Sequence, residues 1–202
     1  MKDNHFTYRE LLVSGWEKTK EHFWFLLTAM ALYAVIGAVT FPIPLIGTIS
    51  SMLLTIAVIT ITLVIVHGAK PNYDDFTKSL KSFDTIWHYV VATILYSIAV
   101  LLGLIVFILP GIFIAVRLQF YSYSIVEHEH LDPVEALKKS WHITSGKFWK
   151  LLGFFFISIF LIIVSAIPLG LGLIFSIPAI SIAYGYLYKK LAHEPVRLAE
   201  AV

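Results

Sequence analysis

Charge confines what this chain can fold into. Of its 28 formally charged side chains (15 Lys and Arg, 13 Asp and Glu), 27 fall in four short stretches, 2–21, 70–84, 127–150 and 189–200, separated by long apolar segments. The exception is Arg117, inside an apolar run six residues past Pro110-Gly111. A soluble domain carries about a quarter of its residues charged. Here the figure is 14% against 58% hydrophobic, with a mean hydropathy of +0.83. So much apolar surface needs lipid as its solvent. The net charge of +2 and the mixing of acids with bases give no footing for nucleic acid. The absence of cysteine removes disulfides, thiolate metal sites and thiol redox chemistry.

Apolar runs lie at about 23–41, 45–66, 89–109, 111–126, 148–167 and 169–188. About 20 helical residues cross a hydrocarbon core of about 30 Å, so each run predicts a spanning helix. The second is rich in Ile, Val and Thr, but backbone groups in lipid must be paired within the segment, which makes it a helix. Runs one and two are broken by Pro42-Ile43-Pro44, three and four by Pro110-Gly111, and five and six by Pro168 to Gly172. None of these breaks is charged, and all four charged stretches sit at the opposite ends. Lys and Arg accumulate on the cytoplasmic side. The pattern therefore predicts six spans with both termini cytoplasmic and three tight outer hairpins. The first run is as long as a full span and follows a charge-mixed start, unlike a cleavable signal.

Within the charged stretches, apolar residues keep helical spacing: Tyr8, Leu12, Trp16, Thr19 and Phe23; Phe76, Leu80, Phe83, Trp87 and Val90; Val134, Leu137, Trp141, Thr144 and Phe148. Each set predicts an amphipathic helix in the headgroup plane. Asp132-Pro133-Val-Glu135 reads as an N-cap, a first-turn proline and a capping-box acid, and Gly146 as an end signal. Residues 10–27 align without a gap on 135–152, with eight of 18 positions identical, among them Trp16/Trp141, Thr19/Thr144 and Trp24/Trp149. A weaker match at a shift of about 67 places Phe83 on Trp16. The expectation is an all-α polytopic membrane protein forming one membrane domain over 1–202. It has three parallel units, about 6–67, 75–127 and 132–188, each an interfacial amphipathic helix plus a transmembrane hairpin, and a tail from 189. Trp16, Trp24, Phe83, Trp87, Trp141 and Trp149 are the expected interfacial anchors.

Pro110-Gly111, Arg117 and Glu127, followed by Pro133, Glu135-Ala136-Leu137, Ser140-Trp141, Thr144, Gly146 and Phe148-Trp149, resemble the prokaryotic membrane-domain family named after glycerophosphoryl diester phosphodiesterases, and related six-span families. In some members of that family the domain precedes a phosphodiesterase barrel. Nothing barrel-sized follows residue 188 here, so the resemblance implies the membrane part alone, in a prokaryotic inner membrane, without hydrolase activity.

Arg117 is the sharpest candidate. It lies about 9 Å along a helix from Gly111, and a cation at that depth costs at least a few kcal/mol unless paired or hydrated. No Asp or Glu falls in any run, so its partners within the chain must be neutral. Gln119, carbonyls at the Pro110 or Pro168 turns, and the hydroxyls of Thr48, Ser51, Thr55 and Thr62 are the candidates. Snorkelling to the outer headgroups is a further option. Arg117 is then either a structural tie or, with Gln119, the receptor for an anionic headgroup or solute, since a guanidinium suits phosphate.

Glu127-His128-Glu129-His130 and Asp132 lack zincin spacing and read as a solvated helix end. Tyr184, Tyr186 and Tyr188 read as interfacial belt residues, and Pro178 as a kink. No nucleophile arrangement, phosphate-cradling loop, metal site or cofactor motif is present. The expectation is an inner-membrane module that binds lipids or a partner, protein or second copy, and is not an enzyme. A transporter or channel for a small anionic or amphipathic solute comes second, and a membrane enzyme a distant third.

Overall fold

The computed structural model describes residues 7–40, 42–72, 74–75, 82–128, 131–167 and 170–192. These residues form helices and short connections, with no strand among them. The helices are α1 (Tyr8–Glu21), α2 (Phe23–Thr40), α3 (Pro44–Val66), α4 (Phe83–Val106), α5 (Ile108–Leu118), α6 (Tyr121–Glu127), α7 (Pro133–Ile143), α8 (Phe148–Ala166) and α9 (Leu173–Ala192).

Among the described residues five helices, with α5 and α6 counted as one stretch, are long and apolar enough to cross a membrane: Phe23–Thr40, Ile46–Val66, Phe83–Val106, Ile108–Glu127 and Phe148–Ala166. Helix α9 has 20 residues but is more polar, carrying Tyr184, Tyr186, Tyr188, Lys189 and Lys190. It runs through the middle of the bundle, with Ile180, Ile182, Ala183, Leu187, Tyr188 and Leu191 buried. A helix surrounded by protein does not need the hydropathy of one that faces lipid. By contrast, α2 buries Leu26 and turns Trp24, Val35 and Val39 outward. An apolar exterior of this kind is stable only in a hydrocarbon solvent.

Several boundaries differ from the sequence expectation. The third and fourth runs break at Phe107, which has extended dihedrals, and not at Pro110-Gly111. Pro110 sits in the first turn of α5, where its missing N–H has no helical partner to lose. Gly111 is a packing residue: a Cβ on Gly103 would lie 2.9 Å from the Gly111 Cα, so the pair lets α4 and α5 close tightly. The fourth run is interrupted at Gln119-Phe120, dividing α5 from α6. Phe83 and Trp87 lie in the first turns of the long helix α4 and not on a separate interfacial helix. Phe76 and Leu80, which shared their stripe, lie outside the described residues, as does Pro168.

Asp132 caps α7 as its sequence indicates, its carboxylate accepting from the Val134 N–H at 2.8 Å. Gly146 beyond the helix end has a φ of +72°, which suits glycine. The apolar stripe of α7 is only partly buried. Ala136, Ser140, Ile143 and Thr144 are buried, while Val134 and Trp141 are exposed. Helix α1 does the same: Leu11, Gly15 and Thr19 are buried and Trp16 is exposed. Bulky apolar side chains can face lipid at no cost. Small residues pack inward because they let helix backbones approach.

Candidate functional site

Arg117 closes α5 beside the interruption at Gln119-Phe120, and α7 satisfies the exposed backbone there. The Phe120 N–H donates to Ser140 Oγ at 3.1 Å, and Ser140 Oγ donates to the Arg117 carbonyl at 3.1 Å. Thr144 Oγ1 lies 2.9 Å from the same carbonyl. One serine thus serves both a donor and an acceptor that a helix break would leave unpaired. The hydroxyls that reach Arg117 are those of Ser140 and Thr144 on α7, which meet its main chain, and not those expected from α3.

The Arg117 side chain is 6% exposed. Its guanidinium carbon lies 4.4 Å from the Trp141 ring centroid and 5.8 Å from that of Phe113. The Nε is buried without a hydrogen-bond partner. A desolvated cation–π contact contributes about 2 kcal/mol, against a cost of roughly 2.5–3.5 kcal/mol for arginine deep in a membrane. Aromatic cover therefore offsets most of that cost with no counter-charge. Gln119, the expected companion, has its amide nitrogen buried without a partner and does not join Arg117. Thr48, Ser51 and Thr55 lie on α3 at clefts beside α2. Thr62 is buried on α3, where a Cβ on Gly185 would press on its methyl. Trp141 of α7 lies across the guanidinium.

A second polar group escaped sequence reasoning. Tyr188, fully buried near the end of α9, donates to Glu127 Oε2 at 2.5 Å. His128 Nδ1 lies 3.6 Å and Lys139 Nζ 3.9 Å from that oxygen, and His67 Nε2 is 3.9 Å from Oε1. Lys189 Nζ reaches the last carbonyl of α3, that of Val66, at 3.3 Å. Glu127 thereby joins the ends of α3, α6 and α9 and the body of α7. Burial holds the Lys139 ammonium below its ordinary range, opposed by the Glu127 carboxylate. Tyr188 is a core residue, stacked on Tyr123 at 5.4 Å, and not a belt residue. Tyr184 packs on Phe154 at 4.9 Å. Glu129 and His130 lie outside the described residues. Among the described residues no three His, Asp or Glu are placed to hold a metal ion.

Two clefts lie along the body of α2, apart from a third at its start beside Lys20 and His22. One, of about 470 Å³, lies between α2 and α3 and is lined by Tyr33, Gly37, Thr40, Thr48, Ser50 and Ser51 among others. The other, of about 460 Å³, is lined by Met30, Tyr33, Thr55, Val58, Pro178 and Ser181 among others, and reaches α9. Tyr33 borders both. Neither includes Arg117. Of the expected anchors, Trp24 and Trp149 are the most exposed, at 77% and 80%, each at the start of a long apolar helix. Trp16 packs on Phe175 and Trp141 on Phe113.

No curated protein and no solved structure matches the chain. A family model described as a domain of unknown function, DUF7847, matches residues 11–196, nearly the whole chain, and the chain belongs to that family.

Proposed function

We propose that this chain is a six-span prokaryotic inner-membrane module with both termini cytoplasmic, and that it binds a membrane lipid in the clefts beside α2. In this reading α9 is the sixth span and the chain comprises three related units. The burial of the matched positions Leu11/Ala136, Gly15/Ser140 and Thr19/Thr144 supports the pairing of the first and third units. The resemblance to the phosphodiesterase membrane domains fits the same architecture.

One observation carries the binding reading. Two adjoining clefts lie between α2 and its neighbours α3 and α9, and their volumes fall in the range of roughly 300–1,000 Å³ usual for small-ligand sites. Their walls are mainly apolar, with hydroxyls from Thr40, Thr48, Ser50, Ser51 and Thr55 among them. Arg117 acts as a structural tie, since aromatic rings cover its guanidinium and its carbonyl is held by α7.

The test is native mass spectrometry of gently extracted protein. A Cβ on Gly37 would meet nothing within 4 Å, so Gly37→Leu places a bulky side chain at the wall of the first cleft. Co-purified lipid should fall in Gly37→Leu and persist in Arg117→Leu. Unchanged lipid in Gly37→Leu, or loss of lipid from a folded Arg117→Leu protein, would overturn this assignment.

A further inference from the structure

Resting on that reading, the chemistry of the cleft walls narrows the ligand. Among the described residues, no Lys, Arg, His, Asp or Glu lines either of these two clefts. Four of the hydroxyl protons along them, those of Thr40, Ser50, Ser51 and Thr55, are already committed. Thr40 Oγ1 donates to the Ile36 carbonyl at 2.8 Å and lies 2.8 Å from Ser50 Oγ. Ser50 Oγ donates to Gly47 O at 3.0 Å, Ser51 Oγ to Thr48 O at 2.8 Å, and Thr55 Oγ1 to Ser51 O at 2.7 Å. A hydroxyl has one proton and two lone pairs. Once the proton is given to a helix carbonyl, what it offers a ligand is acceptor capacity.

We infer that the cleft selects an uncharged amphiphile whose head donates a hydrogen bond, a lipid alcohol of the diacylglycerol type, over an anionic phospholipid. A phosphodiester brings acceptors to four hydroxyls that themselves have only acceptor capacity left, and it brings a charge with no lysine or arginine among the lining residues to meet it. Leaving a charge unpaired in an apolar site is strongly unfavourable. A free hydroxyl on the ligand instead donates to Ser51 Oγ or Ser50 Oγ, while the acyl chain follows Tyr33 into the second cleft beside Val58 and Ile177.

The experiment loads the full-length protein into phosphatidylcholine nanodiscs containing equal amounts of 1,2-dioleoylglycerol and dioleoyl phosphatidylglycerol. Lipids retained on the ejected protein are read by native mass spectrometry. Dioleoylglycerol should be retained on the order of tenfold over phosphatidylglycerol, the scale of one well-placed hydrogen bond. Acetylating its hydroxyl, or Ser51→Ala in the protein, should erase most of that preference, and Gly37→Leu at unchanged melting temperature should remove retention. Equal or greater retention of phosphatidylglycerol would overturn the inference while leaving the lipid-binding reading intact. A preference that survives acetylation would do the same. Retention of neither lipid would remove the lipid-binding reading itself.

Discussion

Helices α1 and α7 carry aligned sequences and dock on different ground, and the difference shows what decides a contact inside this bundle. Helix α7 lies on α5 and α6, where the chain is interrupted at Phe120 and a buried N–H and carbonyl need partners. Ser140 supplies both. Helix α1 lies on α9, and there the position aligned with Ser140 is Gly15, whose added Cβ would run into the Ala179 carbonyl. The tryptophan contacts set the register of this comparison: Trp141 covers Arg117 and Trp16 packs on Phe175. In that register Phe120 corresponds to Pro178. Proline has no N–H, so nothing at that point of α9 calls for a serine, and glycine allows closer backbone approach. Backbone polarity on the receiving helix thus accounts for serine in one place and glycine in the other.

The sharpest way to break this account is Gly15→Ala. With backbone and not a flexible side chain in the way, α1 must shift, at a cost of about 1–3 kcal/mol or more. The melting temperature in detergent should fall by several degrees, and an unchanged value would show that α1 does not pack as described. Ser140→Ala should follow at roughly 1–3 kcal/mol, the penalty for orphaning a buried donor. Hydrogen exchange should rise at the Phe120 amide specifically. Protection as strong as in the wild type would mean that the amide has another acceptor.

Arg117→Phe imitates the Trp16–Phe175 contact and exchanges a stacked cation for a ring. Because the cation–π gain and the burial cost nearly cancel, its stability should lie within about 1 kcal/mol of the wild type. A loss above 3 kcal/mol in thermal unfolding would reveal an unrecognised partner for the guanidinium.

The smallest effect belongs to the ion pair that ties the start of α1 to the end of α9, Lys190 with Glu10. The hydrogen bond from Lys190 holds the Glu10 carboxyl below its usual range. A carboxyl depressed in the folded state contributes stability above its unfolded pKa and loses it as pH falls through the folded value. Lys190→Met should therefore narrow the drop in melting temperature between pH 7 and pH 3 by a degree or less, since both groups are well exposed. A larger change would mean that the pair is shielded from solvent.

Much of the architecture was legible in the sequence. The apolar runs became helices near their expected places, and Asp132-Pro133 opened α7 as its pattern indicates. The protein-facing side of α1 and α7 was not legible, because apolar periodicity marks the buried face only where the alternative is water. Trp141, Val134 and Trp16 could face lipid, leaving the inward positions to Ala136, Ser140, Gly15 and Thr19. Pro110-Gly111 was misplaced as a turn for a related reason: glycine serves close packing as well as turning, and Gly103 across the hairpin shows which applies. The joining of Glu127 to Tyr188 spans 61 positions and left no local signal.

Left to itself, the sequence determined an all-helical chain suited to a membrane, its charged side chains gathered away from its apolar helices, and a lone arginine that had to manage without a carboxylate from its own spans. Each follows from composition along the chain, because water and hydrocarbon sort side chains by polarity. Tertiary structure decided which rings cover Arg117, which serine completes the break at Phe120, and where clefts lie beside α2. Hydrocarbon barely distinguishes a lipid tail from a leucine. Inside the bundle the choice among apolar faces falls to backbone hydrogen bonds and close packing between residues far apart in the chain.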